Sequence, residues 1–564
     1  MSVILECRNI KKNFGEFDIL KNINLDIFTG DRIGIVGDNG VGKTTLVKII
    51  KGIYPLDGGN LNWHMKNMNI GYLNQSSYDE ELFNKSVVIK KEFLKICSEL
   101  GISNAENLLN EDRIRSLSGG EKTKLSLAYL FSKNYDMLIL DEPTNNLDYD
   151  GIEYLIKRIS YYKNTILIIS HDRYFLDKTT NKTIEIEDGI CKEYKGNYSF
   201  YRDEKKRIYI NTLHRYREQE KYKKNIENQI ETLKSWSEKA HRDSTKKAST
   251  IGGKKGVKEY FRVKAKKKDI QVKSRIKKLE KIEVEGVKKP KKEKSINFNV
   301  NNGENKGTLI LKAKNISKSF NGKVLFKNSS FYIKRGEKIA LIGKNGCGKT
   351  TLIKAILREI QVDGEINLNP NAKIGYMSQE IPELKEAKKI IELFSYKSRE
   401  EEGILRRELF QMGFTTDDLS KNLSSLSHGE RMKIKLLLMI KNNCEVLILD
   451  EPTNHIDLHV REELEDALDK YSGTIILVTH DRYMLTKISS KLLVFENNTI
   501  NRYEYTFDEY INKKNQDKSK ENEMILKNRL SYVLGKLCNV QKESEEYMTL
   551  DEEYKNILWE LKKI

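Results

Sequence analysis

The sequence predicts an α/β protein in which two copies of one domain are joined by a long basic α-helical hairpin and followed by a small α-helical C-terminal extension. Three motifs recur in the same order, at offsets of 306, 309 and 309 residues. In each copy, apolar segments of strand length alternate with helical segments, as in a parallel sheet covered by helices. Residues 202–300, between the copies, hold 32 Lys and Arg against 14 Asp and Glu, a net charge of +18 in a chain whose total is +19.

The length and composition predict a multidomain chain. With 564 residues there is room for about three or four domains. We expect the first copy at residues 1–200, the hairpin at 201–300, the second copy at 301–511 and the extension at 512–564. The sequence contains no run of 18 apolar residues, so no membrane span is expected. The N-terminus lacks the features of a secretion signal. Six scattered cysteines without a Cys-x-x-Cys pair are typical of reduced thiols in a cytoplasmic protein.

Each copy is expected to begin with a β-rich segment, residues 4–28 or 309–333, and to continue with an apolar strand, a Gly-rich turn and a helix. Two further apolar strands follow, one ending on an Asp-Glu pair and one ending before a histidine. The expected bounds are 32–36 and 338–342 for the strand before the turn, 44–51 and 350–358 for the helix, and 165–169 and 474–478 for the strand before the histidine.

The segment between the copies has the pattern of two helices. From residue 201 to about residue 240 it is charged, lacks Pro and carries spaced apolar residues, which predicts a long solvated helix. A Gly-rich cluster at 249–256 predicts a turn, and a second helix over about residues 258–282 is expected before Pro290. Two helices folded back on a Gly-rich tip form a hairpin, and a helix of about 40 residues spans about 60 Å. After residue 512, apolar residues at helical spacing predict two further helices.

The repeated Gly-rich segments, GDNGVGKTT at 37–45 and GKNGCGKTT at 343–351, predict phosphate-binding loops. Glycines let backbone N–H groups approach a phosphate, and the helix that follows adds partial positive charge. We expect Lys43 and Lys349 to reach the β- and γ-phosphates, and Thr44 and Thr350 to hold Mg²⁺. A chance Gly-rich turn is the alternative for one such motif, but it does not explain two in matched context.

The repeated LILDEPTN segments, at 138–145 and 447–454, supply an acidic pair at the end of an apolar strand. Asp141 and Asp450 suit an Mg²⁺ ligand, and Glu142 and Glu451 can polarise the attacking water. The alternative is that the pair only caps the helix that follows. Its recurrence together with the phosphate loop favours catalysis.

With the LSGGE segment at 117–121 the chain resembles the ATP-binding-cassette superfamily, over about 400 of its 564 residues. The resemblance implies an adenine-stacking aromatic, a Q-loop glutamine, a signature, a D-loop aspartate and a switch histidine in each copy. The implied ATP contacts are Phe14, Gly37, Asn39, Gly40, Gly42, Lys43, Thr44, Thr45, Gln75, Ser118, Gly119, Gly120, Glu121 and Asp148 in the first copy, and Phe320, Gly343, Asn345, Gly346, Gly348, Lys349, Thr350, Thr351, Gln379, Ser427, His428, Gly429, Glu430 and Asp457 in the second. The implied Mg²⁺ ligands are Thr44, Gln75, Asp141, Thr350, Gln379 and Asp450, and the implied catalytic residues are Glu142, Glu451, His171 and His480. For Phe14 and Phe320 a core aromatic is the alternative.

In this superfamily the signature of one cassette closes over the ATP held by the other. The resemblance therefore pairs the first phosphate loop with Ser427 and Gly429, and the second with Ser118 and Gly120. The second signature departs from the pattern, because His428 stands where Gly is usual. The departure implies either a different turnover rate at the first composite site or a neutral variant.

Two cassettes joined by a basic hairpin resemble the ABC-F family, whose members act on the ribosome. Residues 193–201 (EYKGNYSFY) and 265–280 (AKKKDIQVKSRIKKLE) resemble that family's junction and returning helix. Only 43 residues separate Gln75 from Ser118, against 48 between Gln379 and Ser427, so the first copy has no room for the extra arm of housekeeping members. This combination resembles the antibiotic-resistance subgroup, which protects the peptidyl-transferase centre from lincosamides, streptogramin A and pleuromutilins.

The resemblance implies a cytoplasmic, monomeric, ribosome-associated ATP hydrolase with ATP and Mg²⁺ as cofactors. Its implied partners are the 70S ribosome, at the 23S rRNA and exit-site region, and the P-site tRNA, with no membrane or permease partner. Three alternatives are an ABC-F translation factor for stalled ribosomes, the ATPase subunit of an ABC exporter, and a general nucleic-acid or repair ATPase whose hairpin would prefer DNA.

Dense Lys and Arg on an extended element predict RNA affinity by counterion release, and aromatic residues near the tip can stack on exposed bases. The alternative is a solvated charged coiled coil whose aromatics pack between its own helices. The RNA and tRNA contact candidates are Trp236, Lys239, His241, Arg242, Lys246, Lys247, Lys254, Lys255, Tyr260, Phe261, Arg262 and Lys264.

Overall fold

A computed structural model describes residues 2–65, 67–74, 91–102, 117, 119–250, 255–290, 308–320, 322–378, 389–396, 398–453, 456–537 and 544–561. The chain forms two compact units. One contains Met1–Asn197 together with Lys294–Ile564, and the other is Tyr198–Glu293. Both repeated copies therefore lie in a single unit.

Within the described residues, nine strands of the first copy form one sheet in the order β4-β1-β2-β9-β8-β3-β7-β6-β5. Strands β5, β6, β7, β3 and β8 pair in parallel, and β6 and β7 are buried at every position, as their continuous apolar sequences predict. The strands are β1 Val3–Phe14, β2 Phe17–Phe28, β3 Arg32–Val36, β4 Gly58–Trp63, β5 Ile70–Leu73, β6 Met137–Asp141, β7 Thr165–Ile169, β8 Lys182–Glu187 and β9 Ile190–Tyr194.

The second copy repeats this arrangement with its described strands divided between two sheets, β11-β10-β13 and β14-β15-β16-β12-β17-β18. Strands β14, β15, β16, β12 and β17 pair in parallel. The strands are β10 Leu309–Phe320, β11 Lys323–Lys334, β12 Lys338–Ile342, β13 Asp363–Leu368, β14 Ile374–Met377, β15 Val446–Asp450, β16 Thr474–Val478, β17 Lys491–Glu496 and β18 Thr499–Tyr503.

Helices connect the parallel strands in both copies, and short 3-10 helices lie at Ile390–Leu393 and Leu423–Ser425. The helices are α1 Lys43–Ile50, α2 Lys91–Glu99, α3 Gly119–Phe131, α4 Tyr149–Tyr161, α5 Arg173–Thr179, α6 Tyr198–Thr250, α7 Lys255–Glu285, α8 Lys349–Ile356, α9 Arg399–Gln411, α10 Thr416–Ser420, α11 His428–Lys441, α12 Leu458–Lys470, α13 Arg482–Ile488, α14 Phe507–Leu537 and α15 Glu545–Leu561.

The unit between the copies is a hairpin of α6 and α7 with a small apolar core formed by Ile226, Ile230, Leu233 and Val272. Helix α6 is 53 residues long and continues about ten residues past the predicted end near residue 240. Helix α7 begins and ends about three residues outside the predicted bounds of 258 and 282, at Lys255 and Glu285. At the Glu285 end Gln219 accepts a hydrogen bond from the Val287 backbone at 2.7 Å, so a side chain of one helix satisfies the backbone that leaves the other.

The C-terminal extension contains the long helix α14 and the shorter helix α15, as the apolar spacing predicts. Helix α14 begins at Phe507, which is fully buried, so its first turn belongs to the core of the second copy. None of the described helices is both long enough and apolar enough to cross a lipid bilayer. Two tandem α/β domains, a helical hairpin and C-terminal helices are all present, and the predicted fold class is confirmed.

Candidate functional sites between the two copies

The parallel order of the sheets brings the predicted chemistry to one edge of each copy. The Gly-rich loop follows β3, and Asp141 at the end of β6 pairs in register with Ile169 at the end of β7. The loop, the acidic pair and the histidine therefore meet at the carboxyl ends of neighbouring strands, where open α/β sheets bind ligands. The second copy repeats the arrangement, with Asp450 paired to Val478.

Both Gly-rich loops require glycine before the helix. Gly42 and Gly348 have φ values of 101° and 107°, in the left-handed region that side chains disfavour. A Cβ atom on Gly42 would also lie 2.7 Å from the side chains of Ile19 and Leu20. A residue with a side chain at this position would distort the loop that leads into α1.

The lysine that follows each of these glycines lies against its own loop. The Lys43 ammonium group donates to the carbonyl oxygens of Gly37 at 2.7 Å and Asp38 at 2.9 Å. Lys349 donates in the same way to Gly343 at 2.8 Å. A positive charge thus lies within each loop, buried for Lys43 and half-buried for Lys349, where the phosphates of a nucleotide are expected.

An oxygen pair suited to Mg²⁺ is present in each copy. The Thr44 hydroxyl donates to Asp141 at 3.0 Å, and the Thr350 hydroxyl donates to Asp450 at 3.0 Å. Burial raises the pKa of both carboxyl groups. A hydroxyl and a carboxylate oxygen at this spacing fit the hard oxygen ligands that Mg²⁺ takes from a protein beside nucleotide phosphates.

The predicted catalytic glutamates occupy a strained backbone conformation. Glu142 and Glu451 have φ values of 52° and 51°, and a non-glycine residue in this region costs of order 1–3 kcal/mol. Their backbone N–H groups donate to Ile169 and Val478 at 2.8 Å, so the neighbouring strand holds each residue in place. Strain of this kind is typical of functional positions.

Both glutamates are enclosed near the switch histidines. Burial raises the pKa of Glu142 to about 7 and that of Glu451 to about 8. Glu142 Oε2 accepts a hydrogen bond from the His171 backbone at 3.3 Å, whereas Oε1 has no hydrogen-bond partner among the described residues. One carboxylate oxygen is thus left to accept from a water molecule, as a general base must.

The histidine rings lie beside these carboxylates. His171 Nε2 is 3.5 Å from Glu142 Oε1, and His480 Nε2 is 3.4 Å from Glu451 Oε1. Burial holds the pKa of His171 well below its usual value and lowers that of His480 to about 4. Both imidazoles are therefore neutral near neutral pH, so each has one nitrogen that donates and one that accepts.

The second composite site is a cavity of about 850 Å³ between the copies. Gly119 and Gly120 of the first signature line it opposite Lys349 and Glu451 of the second copy. Asn345 of the second loop donates to the Asn146 carbonyl of the first copy at 2.9 Å, and its side-chain oxygen lies 3.1 Å from His480 Nε2. The structure thus brings Gly120 of the first signature to the second phosphate loop, as the resemblance implies.

At the first composite site the contact between the copies runs through a D-loop aspartate. Asp457 accepts a hydrogen bond from the Asn39 backbone in the first phosphate loop at 2.7 Å, instead of capping its own helix. Its counterpart Asp148 acts locally, accepting from Gly151 at 3.2 Å and pairing with Lys124 at 3.5 Å. The two composite sites are therefore built differently.

The second signature contributes local contacts among those that the structure describes. Ser427 caps α11 in a capping box with Glu430, and a Cβ atom on Gly429 would meet the side chains of Ile456 and Val460 of the same copy. The expected pairing of Ser427 and Gly429 with the first phosphate loop remains a prediction. Gln75, Gln379, Ser118 and Lys254 lie outside the described residues, as do the side chains of His241, Lys246, Lys247, Lys255, Tyr260, Phe261, Arg262 and His428.

The remaining predicted ATP contacts lie on the exposed surface, in the Gly-rich loops or in the helices that follow the motifs. Phe14 and Phe320 are each 45% exposed, so the alternative that they are core aromatics is wrong. A lysine ammonium group lies over each ring, Lys12 at 5.5 Å and Lys318 at 5.1 Å. Thr45 and Thr351 follow in α1 and α8, Glu121 lies in the first turn of α3, and Gly40, Asn39, Gly346 and Gly343 lie in the loops.

Sequence reasoning missed two buried arginines between the copies. Arg461 of the second copy donates to the His171 carbonyl at 2.9 Å, and Arg173 of the first copy pairs with Glu465 of the second. The signal available in the sequence was a difference between the copies. Four residues after the D-loop aspartate the second copy has Arg461, whereas the first has Ile152.

The hairpin unit exposes several of the predicted RNA contacts. Trp236 is 57% exposed, and the Lys268 ammonium group lies 4.9 Å from its ring centre. Lys239, Arg242 and Lys264 are also exposed. The alternative that the aromatics pack between the two helices therefore fails for Trp236.

Comparison with known proteins identifies the family of the chain. Profiles of the family described as ABC transporter match residues 20–145 and 326–454, and a further profile of that description matches residues 184–250. Ribosome protection protein VmlR of Bacillus subtilis (strain 168) is 36% identical over 575 aligned residues, covering 100% of this chain and 99% of the relative. ABC transporter F family member 5 of Arabidopsis thaliana is 30% identical, covering 92% of this chain and 78% of the relative.

Among solved structures, RNase-L Inhibitor matches with a TM-score of 0.57 at 18% identity, over 90% of this chain and 92% of that chain. This likeness supports the fold alone. The identity to the two curated relatives covers both copies and the segment between them. The chain therefore belongs to the ABC-F family of ATP-binding-cassette proteins and is an ATP hydrolase.

Proposed function

We propose that this chain is a cytoplasmic, monomeric ribosome-protection ATPase. In its ATP form it binds the 70S ribosome, and its hairpin approaches 23S rRNA, the acceptor end of the P-site tRNA and the peptidyl-transferase centre. It thereby protects against lincosamides, streptogramin A and pleuromutilins. The observation that carries the proposal is the 36% identity, along the whole chain, to a protein named for ribosome protection.

Each composite site holds the phosphates of ATP with a Gly-rich loop and its lysine. In the first site Thr44 and Asp141 would hold Mg²⁺, which neutralises charge on the phosphate oxygens. Glu142 accepts a proton as the water oxygen attacks the γ-phosphorus, and the bond to the bridging oxygen breaks to give ADP and phosphate. The contact between His171 and Glu142 supports this role, because it keeps the carboxylate oriented.

The hairpin binds RNA mainly through phosphates. Its net charge of +18 over residues 202–300 gives affinity by release of counterions, which does not depend on RNA sequence. The exposed ring of Trp236 can stack on an unpaired base, and the nearby ammonium group of Lys268 can contact a phosphate. Closure of the copies on ATP brings the hairpin into its binding pose, and hydrolysis releases the protein.

The Glu142→Gln/Glu451→Gln double variant tests this cycle by sedimentation through a sucrose gradient. With ATP we expect it to accumulate with 70S ribosomes, because both sites can close but cannot hydrolyse. The Lys43→Ala/Lys349→Ala variant is the matched control and should stay at the top of the gradient. A hydrolysis-dead protein that sediments free of ribosomes would contradict the proposal.

Growth in the presence of ribosome-targeting drugs tests the protective role. Expression of the wild-type chain should raise the inhibitory concentrations of the three proposed drug classes and leave aminoglycosides unaffected. Removal of residues 234–264 should abolish this protection while sparing ATP binding. Ribosome binding without any change in drug sensitivity would indicate a translation factor for stalled ribosomes instead.

A further inference from the structure

Arg461 is a buried guanidinium that reaches from the second copy into the first composite site. It lies in the first turn of α12, four residues after Asp457, and is only 8% exposed. Its Nη1 atom donates to the His171 carbonyl of the first copy at 2.9 Å. Two contacts within its own copy hold it there, namely Nε to the Ile456 carbonyl at 3.3 Å and Nη1 to Asp481 at 3.5 Å.

The backbone of His171 therefore links Arg461 to the catalytic carboxylate. Its carbonyl accepts from Arg461, while its N–H donates to Glu142 Oε2 at 3.3 Å. A planar guanidinium suits this place, because it donates to several fixed acceptors at once.

Arg461 also lines the cavity of the second composite site, but among the described residues no side chain of the first copy is seen to donate to the backbone carbonyl of His480 as Arg461 does to that of His171. The D-loop aspartates Asp148 and Asp457 match in the repeat, so the residue that corresponds to Arg461 in the first copy is Ile152. Ile152 occupies the same place in its helix, where its N–H donates to the Asp148 carbonyl at 3.0 Å, but its side chain cannot donate a hydrogen bond. The two sites consequently differ in how the opposite copy supports the switch histidine.

We infer that Arg461 is a positioning residue, supplied by the second copy, that orients His171 and Glu142 for hydrolysis at the first composite site. Closure of the copies adds Arg461 to the switch histidine of the first site, but adds no equivalent residue among those described to the switch histidine of the second. The first site therefore depends on closure for its rate, and the two sites turn over unequally. The inference rests on the proposed roles of Glu142 and Glu451, and goes beyond them by assigning a residue that couples closure to one site.

Single-site backgrounds test this inference in the full-length protein. The Glu451→Gln variant leaves the first site active, and the Glu142→Gln variant leaves the second site active. We expect Arg461→Met to lower kcat about tenfold or more at the first site with little change in KM. The factor by which it lowers kcat at the second site should be at least about fivefold smaller. Arg461→Lys keeps the charge but cannot match the fork of donors, so it should give an intermediate loss of kcat with the same preference for the first site. If Arg461→Met does not fold, Arg461→Lys takes its place in the test.

Arg173→Met is the matched control, because it removes a neighbouring buried guanidinium from the same interface, where that guanidinium contacts Glu465 and Asp481. Its losses should be similar at the two sites. A selectivity of Arg461→Met no larger than that of Arg173→Met would overturn the inference. Residual hydrolysis in the Glu142→Gln/Glu451→Gln double variant would instead overturn the roles of the glutamates, and the inference with them.

Discussion

Arg173 and Arg482 are equivalent residues of the two copies, and we predict that replacing them with Met has very different effects on stability. Each is the first residue of the helix that follows a switch histidine. The side chain of Arg173 is 7% exposed and makes two hydrogen bonds to Glu465, whose side chain is 3% exposed. The side chain of Arg482 is 22% exposed and pairs at 3.1 Å with Glu153, which is 37% exposed.

The expected magnitude follows from this difference in burial. Removing one partner of a buried ion pair costs about 3–5 kcal/mol, because the other charge is left without compensation. Lys487 lies 3.9 Å from Glu465 and reduces the loss to about 2–4 kcal/mol. Breaking the more exposed pair of Arg482 and Glu153 costs less, about 1 kcal/mol. Both arginines also lie over a tyrosine ring, Arg173 at 4.6 Å and Arg482 at 4.2 Å. Arg482 has two further rings at 5.7 and 5.9 Å, so ring contacts do not enlarge the loss expected for Arg173→Met.

Urea unfolding followed by circular dichroism measures the two losses, with Arg482→Met as the matched control. Arg173→Met should lose about 2 kcal/mol more than Arg482→Met. The Arg173→Met/Glu465→Met variant removes both buried charges and should recover most of the lost stability. Equal losses for the two single variants, or a double variant no more stable than Arg173→Met, would refute the reasoning.

Three further predictions concern the first site, acid stability and salt. Asp457→Ala should lower turnover at the first site about tenfold, because the Asn39 N–H loses its acceptor. Asp148→Ala should mainly cost about 1 kcal/mol of stability, because the helix loses its cap. Single-site ATPase assays and thermal unfolding measure the two effects, and equal losses of turnover would argue against the asymmetry. Hydrogen bonds from Arg502 and Lys491 lower the pKa of Glu504 to about 2 from an ordinary 4.5. The stabilisation that Glu504 provides is therefore complete above about pH 4.5 and is lost as the pH falls through about 2. Unfolding midpoints should fall less steeply with acid in Glu504→Gln than in the wild type, and parallel slopes would count against the lowered pKa. If the hairpin neutralises about six phosphates, ribosome affinity should fall about 10³-fold between about 50 and 200 mM salt, and a flat salt dependence in filter binding would exclude phosphate contacts as the main source of affinity.

The sequence by itself determined the local architecture of both copies. Continuous apolar runs predicted β7 and β16 at their observed bounds, and the Gly-rich motif predicted α1 within one residue of its observed start at Lys43. These elements follow from short-range signals, namely apolar pattern, glycine and capping residues, and the repeat supplied each signal twice. The sequence was less informative for α6, because a charged helix with few buried residues carries no pattern that marks its end.

Only the tertiary structure decided which residues meet between the copies. Arg173, Glu465 and Arg461 are charged residues on helices, and their local sequence does not mark them as buried. Asp457 was expected near ATP from the resemblance, but its hydrogen bond from Asn39 was not. The burial of the three helical residues depends on the placement of one copy against the other, across about 290 residues of sequence separation for Arg461 and His171. Hydrophobic periodicity records which face of an element is covered, but it does not record what covers a polar group, and the partner of a buried charge is therefore visible only in three dimensions.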